Sequence, residues 1–351
     1  GIAVPLATLA ASEGMPPVLT HASLVLHNWH RLDPSGPVRT ENLACNCRFL
    51  GGLDETWFYI ATVEIEARGG GVFGALLEAQ HAIAEAGSAR SSSSTARVVL
   101  TALAVTRAGI VSMREALSRM PVGCHPLIFY QRVRPFLSGW KTNPTLPDGV
   151  LYEGVSSKRQ RYHGGSAAQS TLFPALDAAL GVSHSAHSSH AFLLEMRDYM
   201  PPGHRRLLEH LADPACPSIR SFVEGFPLHE GEEDREEPRA NGGAGAGNAC
   251  TSGNDGDGSA DFKGGDGFVG CPTASALREA YNECLGALGD FRSTHLGIVG
   301  SYILQQQKKD HKAGEAKSRE DFAGGKGTGG TPLLDFLKPL RNDSRAVLLS
   351  K

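Results

Sequence analysis

The sequence has little net charge: 34 Lys and Arg stand against 37 Asp and Glu, a formal balance of -3. Such a balance supplies no electrostatic attraction for nucleic acid or an anionic membrane, so neither is expected as a partner. Long uninterrupted apolar runs are also scarce. The most apolar stretch, TARVVLTALAVTRAGIVSM (95–113), carries Arg97 and Arg107, too costly for a membrane span, and reads as a core helix. Seven cysteines, an odd number, are scattered from Cys45 to Cys284 without the spacing of a disulfide framework, which makes a reducing cytoplasm the expected compartment. The opening GIAVPLATLAA has no initiating Met and no basic segment, so no signal peptide is expected. Alternating apolar residues are rare, which leaves all-α as the fold class.

What the sequence does contain is helical periodicity punctuated by glycine and proline. Helices are expected over 16–30, 58–68, 72–87, 94–119, 125–134, 167–180, 189–199, 201–212, 217–224, 273–305 and 332–339, with 58–68 equally readable as a strand. Residues 230–270 differ: EGEEDREEPR gives way to ANGGAGAGNACTSGNDGDGSADFKGGDG, which has almost nothing to bury. Strong helical patterns flank that segment, so it is expected to be a disordered insertion within one domain spanning 1–351.

The segment FRSTHLGIVGSYIL (291–304) places His295 within an apolar helical pattern. Leu285, Leu288, Phe291 or Arg292, His295, Ile298 or Val299, and Tyr302 recur at steps of three and four and share a face. A core histidine bonded to a carbonyl is the ordinary reading of such a pattern. Arg292, one turn away on the same face, points elsewhere. An imidazole to bind iron and a guanidinium to pair with a propionate suit haem. No Cys-x-x-Cys-His occurs, so the haem would be non-covalent.

Other stretches are individually weaker. Gly164, Gly165, Ser166 and Gln169 open 162–180 with a capping-box pattern, and the two glycines would let backbone approach a flat ligand closely. Phe129, Tyr130 and Arg134 precede Pro135, where an arginine beside rings suits a substrate carboxylate. AGGKGTGGT (323–331) lacks phosphate-loop spacing and reads as a mobile loop carrying Thr328. HSAHSSH (184–190) and SSKRQRYH (156–163) read as solvated loops.

Together RVRPFLSGWKTNPTLPDGVLYEG, GGSAAQSTLFPALDAALG, MRDYMPPGHRRLLEHL, REAYNECLGALGDFRSTHLGIVGSYIL and KGTGGTPLLDFLKPLR, in this order, resemble indoleamine 2,3-dioxygenase. PPVLTHASLVLHNWHRLDP (16–34) extends the resemblance toward the start. It implies a large helical domain holding haem b, with the family's smaller N-terminal helical domain mostly missing. By motif, His295 matches the proximal iron ligand, Arg292 the propionate-pairing arginine and Asp177 an acidic residue beside the propionates. Arg134 matches the arginine that meets the substrate carboxylate. Phe129 and Phe58 match aromatics of the indole site. Gly165, Ser166 and Ala167 match the segment bordering the haem edge, and Thr328 matches the threonine of the mobile loop. Thr62 stands where serine is usual, and His21 where tyrosine is expected.

The activity implied is cleavage of the indole C2–C3 bond of L-tryptophan, or a related indoleamine, with both atoms of O2 to give N-formylkynurenine, the first step of the kynurenine pathway. A donor of electrons would keep the iron ferrous, and a monomer is expected. One alternative is an oxygen-binding haem protein of the same fold, which would have no need of Arg134, Phe129 and Thr328. Another is a dioxygenase of very low tryptophan affinity, acting on a different indoleamine or in a non-catabolic role.

Overall fold

A computed structural model of the chain describes residues 1–87, 92–141, 143–185, 189–227, 272–312 and 333–350, with only the backbone of Ser189 and of 310–312. The helices are α1 (Ala3–Ser12), α2 (Leu53–Gly70), α3 (Val72–Ala86), α4 (Ser93–Ser118), the short α5 (Met120–Gly123) and α6 (Pro126–Ile128), α7 (Leu172–Ala179), α8 (Ser189–Met196), α9 (Pro202–Ala212), α10 (Ile219–Gly225), α11 (Ala274–Val299), α12 (Gln305–Lys312) and α13 (Leu333–Ala346). Two small antiparallel hairpins complete the described chain: β1 (Trp29–Arg31) with β2 (Leu43–Cys45), pairing Trp29 with Cys45, and β3 (Val150–Leu151) with β4 (Arg159–Gln160).

Helix α4 is the axis of the fold. Its buried positions Val99, Leu103, Thr106, Ile110, Met113 and Leu117 advance by three or four, so a continuous stripe faces inward against α2, α3 and α11. Ser93–Gly123 is long and apolar enough to cross a membrane by length and composition; here its inward stripe is buried, while Thr101, Ala104, Val105, Arg107 and Ala108 on the other face are exposed. Cβ-free Gly109 admits the Val72 side chain, which lets α3 lie close to α4. On α11, Leu277, Tyr281, Leu285 and Leu288 complete this first core. A second core gathers Tyr59, Ile60 and Val63 of α2 with Phe129, Tyr130, Tyr302 and Ile303. Ile298 packs against both cores.

Several expected elements changed form. Of 16–30, only Ala22–Leu26 is helical, as one wide π turn, and Trp29–Arg31 is a strand. Region 58–68 is helix, extended to Leu53–Gly70 with Asp54 and Glu55 in its first turn, where acids favour a helix start. Segment 125–134 winds successively as α6, a π turn (Phe129–Val133) and a 3-10 turn (Arg134–Leu137), so Pro135 tightens the winding rather than ending it. The capping box at Ser166 closes only a 3-10 turn, Ala167–Gln169, and the helix starts afresh at Leu172. Pro174 explains the break: its ring would clash with the Ser170 carbonyl in a continuous helix, whereas it is tolerated in a first turn. Region 273–305 is helical as expected, with a π turn at Gly300–Leu304 before α12. The helix expected over 332–339 continues through Pro339 to Ala346. Helix α1 carries no buried residue and had no counterpart in the expectation. The proposed insertion at 230–270 lies outside the described residues.

Candidate active site

Between the two cores lies a cavity of about 800 Å3, inside the roughly 300–1,000 Å3 usual for organic ligands. One wall is the face of α11 and its π turn that carries Arg292, His295, Val299 and Tyr302. The His295 ring makes no hydrogen bond among the described residues, so the ordinary core histidine is not what stands here. Burial, with the Arg292 charge adding, pushes its pKa down to about 4. At neutral pH the ring is therefore uncharged and keeps a nitrogen lone pair, the form that ligates a metal. A neutral imidazole on the wall of a large, chiefly apolar slot is a fit for non-covalent haem.

Beside His295, Arg292 directs Nη2 to both Asp177 oxygens at 2.7 and 2.6 Å, and Nη1 to the Leu340 carbonyl at 3.0 Å and the Ser344 hydroxyl. His184 bridges Asp177 (3.0 Å) and Asp343 (2.6 Å). Burial alone would raise the Asp177 pKa, but Arg292 and His184 outweigh it and hold the carboxyl below its ordinary range. Burial opposes charge on His184 as well, yet its two aspartate partners leave its pKa raised. Arg292 and Asp177 both line the cavity as expected, but the guanidinium fork is occupied by Asp177. His184 corrects the solvated reading of HSAHSSH: it is buried and ion-paired, and His190 also lines the cavity. His187 lies outside the described residues. Among the described residues, no His, Cys, Asp and Glu cluster has the geometry of a protein-only metal site.

The opposite chemistry, aromatic and hydrogen-bonding, comes from α2 and the 129–137 turns. Phe58 and Phe129 pack with ring centroids 4.7 Å apart, and Phe129 meets Tyr302 edge-on at 5.6 Å. Thr62 lies one turn after Phe58, and its hydroxyl donates to the Phe58 carbonyl at 2.8 Å. Thr62 lines the cavity, and its hydroxyl oxygen keeps acceptor capacity while its proton is engaged. Arg134 is 4 % exposed, with its guanidinium over the Tyr130 ring at 5.8 Å, and burial lowers its pKa. The change from π to 3-10 winding at this point carries Arg134 into the cavity wall rather than out to solvent.

Gly165, Ser166 and Ala167 border the same cavity. The glycine pair has a packing reason beside any ligand contact: a Cβ on Gly164 would strike the Leu137 carbonyl, and one on Gly165 the Leu24 side chain. Thr328 lies outside the described residues. One lining residue, Glu66, went unassigned from the sequence; it meets His21, which the resemblance set where tyrosine is expected, at 2.9 Å. The four-residue step Phe58, Thr62, Glu66 was the available signal for Glu66. Their pairing, 45 residues apart, left no signal.

These features define a helical haem pocket: a metal-ready imidazole on one side, and rings, a hydroxyl and a guanidinium on the same cavity. The family model described as indoleamine 2,3-dioxygenase matches residues 1–347. The chain belongs to the indoleamine 2,3-dioxygenase family, and is a haem-dependent dioxygenase enzyme acting on indoles. It is 33% identical to indoleamine 2,3-dioxygenase 2 of Mus musculus over 348 residues, covering 99% of this chain and 72% of the relative. It is 31% identical to indoleamine 2,3-dioxygenase 1 of Rattus norvegicus over 351 residues, with the same coverage. The indoleamine 2,3-dioxygenase of Saccharomyces cerevisiae is 32% identical over 379 residues, again covering 99% and 72%.

Proposed function

We propose that the chain cleaves the indole C2–C3 bond of L-tryptophan with O2, giving N-formylkynurenine. The observation that carries this reading is His295, an uncharged ring without a hydrogen bond among the described residues, on a cavity of about 800 Å3 that Arg134, Phe58 and Phe129 also line. His295 would hold the iron, and haem when bound supplies the oxygen chemistry. The protein then contributes position and exclusion of water. The Arg134 fork binds the substrate carboxylate. Phe58 and Phe129 flank the indole, and the Thr62 oxygen accepts its ring N–H. Gly165, Ser166 and Ala167 would border the haem, while Asp177 holds Arg292, which would stand near its propionates. Thr328 completes the amino-acid end. O2, an indole amino acid and an electron donor are the partners this chemistry requires.

The test is optical. Haem-reconstituted protein should show a histidine-ligated spectrum that shifts when tryptophan is added, followed under O2 and reductant by the absorbance of N-formylkynurenine. A stable oxygenated spectrum with no product over a wide range of tryptophan concentrations would instead establish an oxygen carrier.

A further inference from the structure

One cluster of titratable groups on the cavity wall has no part in these roles. Glu66 Oε1 and His21 Nε2 lie 2.9 Å apart, and both residues line the large cavity. Glu66 also lines an adjoining pocket of about 370 Å3, together with His27 and His204. The pair is fixed from the Ser166 turn: the His21 backbone N–H donates to Gln169 Oε1 at 2.9 Å. Gln169 is the residue that closes the Ser166 capping box. The dyad is thus held in register with the segment proposed to border the macrocycle.

Phe58, Thr62 and Glu66 succeed one another at four-residue steps on α2, about 6 Å apart along its axis. All three line the large cavity, and His21 Nε2 holds the Glu66 carboxyl on its wall. Burial disfavours the carboxylate, but the His21 hydrogen bond and charge, with Ser170 and His204, outweigh it and hold the pKa below its ordinary value. A carboxylate can only accept hydrogen bonds. The benzenoid edge of plain indole offers it nothing but carbon, which leaves a charged oxygen poorly solvated. A hydroxyl on that edge donates to it.

We propose that the Glu66–His21 pair is a specificity-determining contact that receives a hydroxyl carried on the benzenoid ring of the substrate, so that the chain prefers ring-hydroxylated indole amino acids. The proposal rests on the dioxygenase reading above and deepens it. Glu66 makes the contact, and His21 is a positioning residue that acts through Glu66. Because Glu66 already has partners, the discrimination is smaller than where a buried polar group is left with none. One added hydrogen bond to a charged group corresponds to about tenfold.

The test uses the haem-reconstituted chain with L-tryptophan, 5-hydroxy-L-tryptophan and 6-hydroxy-L-tryptophan, reading Kd from optical titration and kcat/KM from turnover. At least one hydroxylated isomer should bind about tenfold more tightly than tryptophan, with kcat/KM raised to match. Glu66→Leu should bring that ratio close to one and His21→Phe should lower it; Glu66→Gln, which keeps the shape, serves the same purpose should the Leu variant fail to fold. General damage to the pocket weakens all three ligands alike and leaves the ratio untouched. No preference in the unmodified protein, or a preference that survives the Glu66 substitutions, overturns the proposal while leaving tryptophan cleavage standing. Uptake of haem without binding of any of the three amino acids overturns the dioxygenase reading along with it.

Discussion

A half-buried imidazole on a cavity wall with no hydrogen bond is costly unless something else engages it, since interior polar groups are nearly always partnered. His295 is in that condition among the described residues, and its pKa of about 4 keeps it uncharged across the physiological range. Replacing it removes the proposed iron ligand while sparing the apolar contacts of α11. His295→Ala should therefore fold but, on addition of haem, lack the Soret band of a histidine-ligated haem. Unchanged haem uptake would remove His295 from the role. Arg134 invites a second substitution, because lysine keeps the charge but loses the planar fork. Arg134→Lys should weaken tryptophan binding about tenfold to a hundredfold, the range of one or two hydrogen bonds to a charged group, with haem uptake intact. Equal tryptophan Kd values for the two proteins would exclude a carboxylate clamp. His295 was legible in the sequence because both it and Arg292 sit on a helical stripe of regular spacing. Glu66 and His21 were not legible as a pair, because only the packing of α2 against the turn at 22–26 brings them together.

At the scale of elements, the network around Arg292 ties three helices to one another. Asp177 belongs to α7, Arg292 to α11, and Asp343, Ser344 and the Leu340 carbonyl to α13. Removing Asp177 would leave Arg292 and His184 buried without their shared carboxylate. Asp177→Ala should cost about 3–5 kcal/mol, as when a buried ion pair loses one member, measurable by chemical denaturation. The pH dependence has a definite sign. The His184 pKa is raised by Asp177 and Asp343 against burial and the Arg292 charge, so its contribution is complete below the unfolded value near 6.5 and is lost as pH rises through the folded value. The Asp177 pKa is lowered, so its contribution is present above the unfolded value of 3.8 and lost as pH falls through the folded one. The thermal midpoint of the natural protein should thus exceed that of His184→Gln at pH 6, and the gap should close in alkaline solution. A gap independent of pH would show that His184 acts by shape alone. The sequence disclosed most of these helices but not their joins. Periodicity marks α3, α4 and α11 over many turns, whereas the break before α7 depends on a single ring, that of Pro174, and the π turns depend on tertiary packing.

At the scale of the whole molecule, the two hydrophobic cores are joined across a cavity instead of being fused into one. A cavity of about 800 Å3 forfeits the contacts its lining atoms would otherwise make. A flat apolar cofactor that binds the folded chain and not the unfolded one restores those contacts, and by linkage it adds RT ln(1 + [L]/Kd) to stability. At a haem concentration one hundred times Kd this is about 2.7 kcal/mol, which for a chain of this size raises the thermal midpoint by several degrees. The rise should grow with haem concentration, and should shrink in His295→Ala because the iron bond is lost while the apolar contacts remain. Differential scanning calorimetry of the two proteins over a haem series checks both statements. A midpoint that does not move with haem in the natural protein would mean that the space between the cores is not where the cofactor binds.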